Sequence, residues 1–541
     1  MQNKKSNLFL DFYNKIVNQY FIATLPSEII QQLEKFTDCI GPVVSYMLKE
    51  RFEQNKPKRT KKAVVRNLPH SADLAELREL TNMIQKPVAN VASSGPENVL
   101  HIVKAFKLLE FQVISGSAPT SEQWTELDLG RFVDPMIAAS DSLSTLLLSI
   151  RNLGRAESER SLTHLLSLVC VYRCFKVKAK ADDSTITAPY SGIAPLKEVI
   201  AEFFTDEKID SFLDKFLDKS KLGNFNELFI YSGNASSPNG GHSSINYLAD
   251  IAALMTDRKL LESIFGIIKH FKFGSELKKI VDILIVNIDE EYTKGKIHSR
   301  LVTFTAPGGK SRIIAVVDWL SQTALSAIHK TQFRLLQLIP SDRTYDHKSG
   351  LNLYDPNADC YHSVDLSAAT DRMPKQLQQR LIERIFIKLG MDGASIARFW
   401  MNIVDREYAT TNSLLEKVSP KMRYSVGQGM GLFSSWPAMA LVHHYIVHEI
   451  CNCPFDDYVL VGDDLLMKNA AKSFEAYSSF MNSIGVHVNP AKTLISEQKP
   501  HSLEFARNFI IAGCKVQPLP IGSVFAYLDG KIGPMEAFCA F

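Results

Sequence analysis

Two short stretches carry residues whose types and spacing point to chemistry: Asp365-Leu-Ser-Ala-Ala-Thr-Asp371, and Gly462-Asp463-Asp464 inside the apolar run Tyr458-Val-Leu-Val-Gly-Asp-Asp-Leu-Leu-Met467. Carboxylates are rare neighbours within a strand-like apolar segment, because desolvated like charges repel and lose hydration unless a cation neutralises them. A pair of Mg2+ ions would do so. Two such ions about 3.5–4 Å apart, bridged by acids, activate a 3′-hydroxyl and stabilise a leaving pyrophosphate. The pattern therefore points to a two-metal nucleotidyl-transfer site. Gly-Asp-Asp alone carries little weight, since average composition produces it in roughly one chain in ten of this length. The surrounding segments have to agree.

The elements that would position these acids are legible nearby. Gly462-Asp463-Asp464 reads as the turn between two short β-strands, because Gly and Asp tolerate tight-turn geometry. Tyr361 to Leu366 reads as a strand running into a polar turn, which brings Asp365 beside the hairpin tip and leaves Asp371 beyond the turn. Tyr424 to Pro437 is a loop rich in Gly and hydroxyl groups leading into a helix, so backbone amides there can approach a phosphate or sugar closely. Lys310-Ser-Arg312 opens a β-like run that extends to Val317. Helical faces follow: Leu377, Leu381, Ile382, Ile385 and Leu389 share one, and Val442, Tyr445, Ile446 and Ile450 another. Upstream, residues 1 to about 290 read as mostly helical, with Ile209, Phe212, Leu213, Phe216 and Leu217 on one amphipathic face. Strands alternating with packed helices predict an α+β core with the acids at the exposed sheet end.

Composition narrows the class further. At 541 residues and 45% hydrophobic content the chain can bury large cores. Its longest apolar runs fall short of the roughly 18–20 residues that cross a bilayer, so no membrane span is expected. A net charge of +3 leaves any nucleic-acid affinity to local clusters. Lys56 to Arg66 forms one such cluster, read first as a solvated loop. Lys294, Lys296, Arg300, Lys310 and Arg312 form another. The eight cysteines lack the spacing of a disulfide framework, which suits a reducing compartment. His448, Cys451 and Cys453 lie close enough to raise a zinc reading, but packing is favoured because the metalloprotease pattern is absent.

In chain order there is a basic strand, an acid strand, a Gly/Ser loop with helix, an acid hairpin, and then Lys492 in Asn489-Pro-Ala-Lys-Thr-Leu-Ile495. At these residues the chain resembles viral RNA-dependent RNA polymerases of the mitovirus type, within the narnavirus and levivirus lineage. The matching text is Asp365 to Pro374, Gly427 to Pro437 with His443-His444 downstream, Val461-Gly-Asp-Asp-Leu465, Lys492-Thr-Leu-Ile-Ser496 and Glu504-Phe-Ala-Arg507. Ser237-Pro-Asn-Gly-Gly241 is a weaker echo that implies template contact.

The resemblance implies a right-hand polymerase with fingers, palm and thumb. Asp365 and Asp463 would be the principal ligands of two Mg2+ (or Mn2+) ions, with Asp464 in support. Lys310 and Arg312 would receive the triphosphate, and a guanidinium suits phosphate bidentately. Asp371 would read the ribose 2′-hydroxyl with Gly431 and Ser435, because Met439 stands where the broader pattern has Asn. Lys492 would protonate departing pyrophosphate. Asn239, Gly240, Gln428 and Gly429 would touch RNA. His443 and His444 are expected to be a buried structural pair, and Trp436 to pack in the core rather than stack on a base.

The resulting division is a helical extension over 1–200, fingers over 201–354, a palm over 355–495 and a short thumb over 496–541. Expected partners are an RNA template, the product duplex, NTPs and an accessory protein from host or virus. The resemblance places the protein in a host mitochondrion, with the host cytosol as alternative. Two other functions stay open at this point. One is a reverse transcriptase, against which Gly462 and Asp371 argue, and the other is a non-catalytic RNA-binding replication scaffold, against which the full set of acids argues.

Overall fold

Among the described residues every regular element before Ser299 is helical, and strands begin where the sequence turns to short apolar runs. The computed structural model describes residues 96–127, 129, 133–174, 181–231, 235–306, 310–410, 421–490 and 492–518. The basic cluster at 56–66 and residues 519–541, the second half of the expected thumb, lie outside them. The chain divides into two units, one comprising 1–179, 305–310 and 509–541, the other 180–304 and 311–508.

In the first unit, α1 (Pro96–Ser115), α2 (Val133–Arg151) and α3 (Arg155–Val169) pack through fully buried Phe106, Leu109, Val113, Leu143, Leu146 and Leu165. Gln112 adds buried specificity: its Nε2 donates to the Ser140 carbonyl and its Oε1 accepts from the Ser140 hydroxyl, at 2.9 and 2.8 Å. A hairpin of β10 (Asn508–Ile511) and β11 (Cys514–Val516) pairs antiparallel from Phe509 to Val516 and rests on α3.

The second unit holds the candidate site. Its helices include α4 (Ser184–Thr187), α5 (Asp206–Asp214), α6 (Tyr247–Met255), α7 (Trp319–Leu338), α8 (Ala369–Arg372), α9 (Lys375–Lys388), α10 (Gly393–Val404), α11 (Ser435–Tyr445) and α12 (Ala471–Ser483). One sheet runs β2-β1-β4-β5, with β1 (Ser299–Ala306), β2 (Lys310–Val317), β4 (Glu407–Thr410) and β5 (Lys421–Arg423). The other runs β6-β7-β3-β8, with β3 (Tyr361–Val364), β6 (Tyr458–Val461), β7 (Asp464–Lys468) and β8 (Leu494–Ser496), and β9 (Leu503–Phe505) follows. In β3 and β6 every residue is buried; β6 (Tyr-Val-Leu-Val) accordingly reads as a continuous apolar run, whereas β3 takes His362 and Ser363 inside.

The amphipathic face at Ile209 is helical only to Asp214; Phe216 and Leu217 continue it from the turn beyond. Its polar side forms a ladder with α9, where Asp206 pairs with Arg380 at 2.6 Å, Asp210 with Arg384 at 2.5 Å and Asp214 with Lys388 at 2.7 Å. The i, i+4 spacing on both helices makes them run side by side in one register.

A second polar cluster is fully inside. Asp318 caps α7 by accepting from the Ser321 N–H at 2.6 Å, and Arg406 reaches the same carboxylate at 3.1 Å with both side chains essentially unexposed. Asp250 of α6 lies close by, and burial first, then the Asp318 charge, pushes its carboxyl up to about 6. Ser237 and Asn239 donate to it at 2.7 and 3.0 Å. Removing a buried cation from such a cluster strands desolvated carboxylates. Arg406→Met should therefore cost about 3 kcal/mol or more in urea denaturation, whereas Arg384→Met on the half-exposed ladder should cost about 1 kcal/mol or less.

Candidate active site

Backbone register, not chain proximity, brings the acids together. β3 pairs antiparallel with β7 as Tyr361↔Lys468 through Val364↔Leu465, so one further step sets Asp365 opposite Asp464. On its other edge β3 pairs with β8 as Tyr361↔Ser496 through Ser363↔Leu494, and the same extension reaches Lys492. Lys492 Nζ indeed donates to Asp365 Oδ2 at 2.8 Å. With the two side chains 55% and 32% exposed, this ion pair is worth under about 1 kcal/mol, so Lys492 can exchange partners at little cost. Below the row, the Asn489 N–H donates to the Asp365 carbonyl at 2.8 Å and fixes the strand end.

The hairpin tip is a two-residue turn, since β6 and β7 close on Val461↔Asp464. Gly462 has φ +61°, a sign that suits the first turn position of a type II′ hairpin and disfavours any side chain. It is also hemmed in: a Cβ there would lie 2.7 Å from Trp436 Nε1. Trp436 itself stacks on Phe333 at 5.5 Å between ring centroids, as the core-packing expectation has it. Asp463 is thereby exposed at the tip and Asp464 half-buried at the start of β7.

His443 holds this turn from beneath. Its Nδ1 lies 2.9 Å from the Gly462 carbonyl and its Nε2 2.7 Å from the Tyr477 hydroxyl. A carbonyl only accepts, so Nδ1 carries the hydrogen of the neutral ring and Nε2 accepts from Tyr477. Complete burial depresses the imidazole to about 4, which keeps it in that neutral form. Burial, then the charges of Cys451 and Asp463, pushes the Tyr477 phenol well up, so its proton stays for this bond. His444 sits between Tyr458 and Asp342, at 3.0 and 3.2 Å. The backbone at 341–343 in turn bonds to Leu460, flanking β6. The two histidines are thus buried and hydrogen-bonded, as expected: His443 fastens the turn of the acid hairpin and His444 its strand β6.

The Gly/Ser loop lies directly on α8. The Gly427 N–H donates to the Asp371 carbonyl at 2.9 Å and the Gln428 N–H to that of Thr370 at 3.2 Å. Any Cβ on Gly427 would meet that same backbone. Gly431, with φ +112°, crosses close to the Ala315 carbonyl, and Gln322 Nε2 donates to its carbonyl at 2.8 Å. Trp400 Nε1 donates to Ser434 Oγ at 2.7 Å just before α11. Ser435 Oγ and Asp371 Oδ1 are buried with no partner, and burial raises the Asp371 carboxyl above the ordinary Asp range.

The remaining expected residues are placed differently. Arg312 is exposed near the start of β2; Lys310, also exposed, groups with the first unit. Lys294 and Lys296 are engaged locally, on Glu291 at 2.5 Å and over the Tyr292 ring at 4.8 Å. Gln428 is fully buried, with its amide on Gln378 and the Ser435 carbonyl, and Gly429 packs against Ala315. Asn239 clamps Ile297 through both its amide groups, each at 3.0 Å, whereas Gly240 beside it has open space where a Cβ would stand. His448 stacks on Phe455, and burial lifts the Cys451 and Cys453 thiols up to about 12.

Residues 221–537 match the model of the mitovirus RNA-dependent RNA polymerases, more than half of the chain. The chain belongs to that family. It is 26% identical over 359 residues to the RNA-directed RNA polymerase of Cryphonectria parasitica mitovirus 1, an alignment covering 63% of this chain but 42% of that protein. The chain thus spans less than half the length of this viral relative. Two uncharacterized mitochondrial proteins of Arabidopsis thaliana are also similar, one 31% identical over 188 residues (32% of this chain, 69% of that protein) and one 26% identical over 141 residues (25% and 67%).

As a member of this polymerase family, the chain carries in Asp365, Asp463 and Asp464 the hard carboxylate oxygens that divalent cations take, with Asp365 and Asp464 set opposite by register and Asp463 next to Asp464. Among the described residues, no three acid, His or Cys side chains are already gathered around one point, and Asp365 faces the Lys492 ammonium instead. Sequence reasoning missed Thr185 and Tyr477, which carry no motif, and gave no role to Arg372 within the matched stretch; all three act through long-range contacts. His443 gives a measurable signature. Its folded value of about 4 lies below the unfolded value of about 6.5, so the unfolded chain takes up the proton first as pH falls. Stability should be fully present above pH ~6.5 and fall by on the order of 2–3 kcal/mol toward pH ~4. His443→Gln should flatten that slope in denaturation measured across this window.

Proposed function

We propose that the chain is an RNA-dependent RNA polymerase that copies an RNA template from NTPs by two-metal nucleotidyl transfer. The observation that carries the reading is the row formed by Asp464, Asp365 and Lys492 across β7, β3 and β8, with Asp463 at the adjoining tip. Asp365 and Asp463 would hold two Mg2+ or Mn2+ ions, with Asp464 in support. Such ions, when bound, lower the pKa of a 3′-hydroxyl and offset charge on the leaving pyrophosphate.

The chain's own groups do the rest. Arg312 is exposed and carries the fork that fits a triphosphate; Lys310 serves the same group. Asp371 accepts from the ribose 2′-hydroxyl, and Gly431 and Ser435 take part with it in holding the nucleotide. Lys492 holds a proton on Nζ, at the end of the acid row, and passes it to the pyrophosphate oxygen as the P–O bond breaks. Template contact at 239–240 falls to the face of Gly240, where a side chain would stand in open space; the Gly240 N–H and carbonyl, like the Asn239 amide, are engaged within the loop. Gln428 and Gly429 support the RNA path from within, as the packed base of the loop.

In right-hand terms, 201–354 forms the fingers, 355–495 the palm and 496–541 a short thumb, with 1–200 as a helical extension. An accessory protein from host or virus would complete the grip on the product duplex. The mitovirus and mitochondrial relatives support work in a host mitochondrion.

Purified protein with a primed RNA template, NTPs and Mg2+ should yield labelled RNA, and Asp463→Asn should reduce synthesis at least 1,000-fold, on the order of about 4 kcal/mol of transition-state stabilisation. Circular dichroism should show the variant folded. Near-normal incorporation by a folded Asp463→Asn protein would remove the reading.

A further inference from the structure

Thr185 lies ahead of the segment matched by the family, yet its side chain ends at Asp371. Its Oγ1 donates to Asp371 Oδ2 at 2.7 Å. The contact belongs to a built junction. Arg372 donates from Nη1 to the Ala188 carbonyl at 2.7 Å, and from Nη2 to the Pro189 carbonyl at 2.8 Å and Ser191 Oγ at 3.0 Å. On the other side, the Ser425 N–H donates to the Ile186 carbonyl at 3.0 Å and its hydroxyl to that of Thr187 at 2.8 Å. The backbone around Thr185 is therefore pinned both to the turn that carries Asp371 and to the strand end that starts the Gly/Ser loop.

What this leaves on Asp371 is asymmetric. Oδ2 is occupied by the Thr185 hydroxyl, while Oδ1 is buried with no partner, and Ser435 Oγ is in the same condition. From α11, position 439 offers Asp371 no amide: Met439 instead receives the Thr370 hydroxyl on its sulfur at 3.7 Å. Among the described residues Thr185 is the side chain that donates to this carboxylate. A desolvated acceptor without a partner is costly, and a ligand hydroxyl that reaches it removes the cost, whereas a ligand lacking the hydroxyl does not.

Resting on the polymerase reading, we propose that Thr185 is a positioning residue for sugar selection: it fixes Asp371 so that Oδ1 accepts from the 2′-hydroxyl of an incoming ribonucleotide. The segment at 184–191 then contributes to substrate choice although it carries no polymerase motif. The hydroxyl itself is the working group, because its loss frees the carboxylate to rotate and to spend both oxygens elsewhere.

The test is single-nucleotide addition by the full chain on a primed RNA template, comparing an NTP with the 2′-dNTP of the same base. Thr185→Val should lower kcat/KM for the ribonucleotide about tenfold and leave the deoxynucleotide within about twofold, so the ratio falls about tenfold. Thr185→Ser should restore the ratio, and Thr185→Ala supplies the same deletion if the valine variant does not fold. Equal losses on both nucleotides, or an unchanged ratio, would overturn the role of Thr185. A wild-type protein that adds neither nucleotide would overturn the polymerase reading instead.

Discussion

Like charges opposite one another on neighbouring strands destabilise a sheet, and here Asp365 and Asp464 are set opposite by the register of β3 and β7, with Asp463 one residue away. That register holds because the hairpin is fastened on several sides. Trp436 presses on Gly462, His443 bonds its carbonyl, and the backbone at 341–343 flanks β6, while β8 covers the other edge of β3. The Lys492 ammonium then compensates the nearest carboxylate. Almost every fastening group is buried and neutral, so the repulsion is opposed by packing and hydrogen bonds while the cationic compensation remains at the surface, where it can be exchanged.

Much of this was legible in the sequence because it is local. The acid hairpin, the strand before Asp365, the run from Lys310 and the helix after the Gly/Ser loop all follow from short-range pattern and turn chemistry, and each forms where expected. The helical face from Ile209 ends a turn early at Asp214, since the last two apolar residues reach the core from a turn as well as from a helix. What pattern could not supply was pairing across distance. Nothing in Ser-Thr-Ile-Thr announces that Thr185 meets Asp371, and nothing around Tyr477 announces that it completes a relay to the Gly462 carbonyl. Residue type misled where polar side chains serve the interior: Gln428 and Asn239 look like ligands for RNA but satisfy buried backbone and side-chain groups.

The junction at 184–191 also bears on how the second unit is assembled. Arg372 follows Asp371 directly, is itself buried, and spends its guanidinium on two carbonyls and a hydroxyl of that one segment. A planar fork with several fixed acceptors is hard to reproduce with lysine. The acid at 371 is consequently located by a neighbour in sequence that is anchored to a part of the chain far from it, while the family match begins only later, at 221.

The ladder between α5 and α9 has a mechanical meaning. Because acids recur every fourth residue on one helix and bases every fourth on the other, sliding α9 by one turn would bring Arg380 to Asp210 and Arg384 to Asp214, stranding Asp206 at one end and Lys388 at the other. Intermediate positions would leave every rung misaligned. The helices therefore share a vernier, with discrete settings about 6 Å apart, the rise of four helical residues, and one setting that closes all rungs. Since α9 begins only a few residues after Asp371, this vernier sets the height at which the candidate sugar-reading acid is delivered to the loop above it.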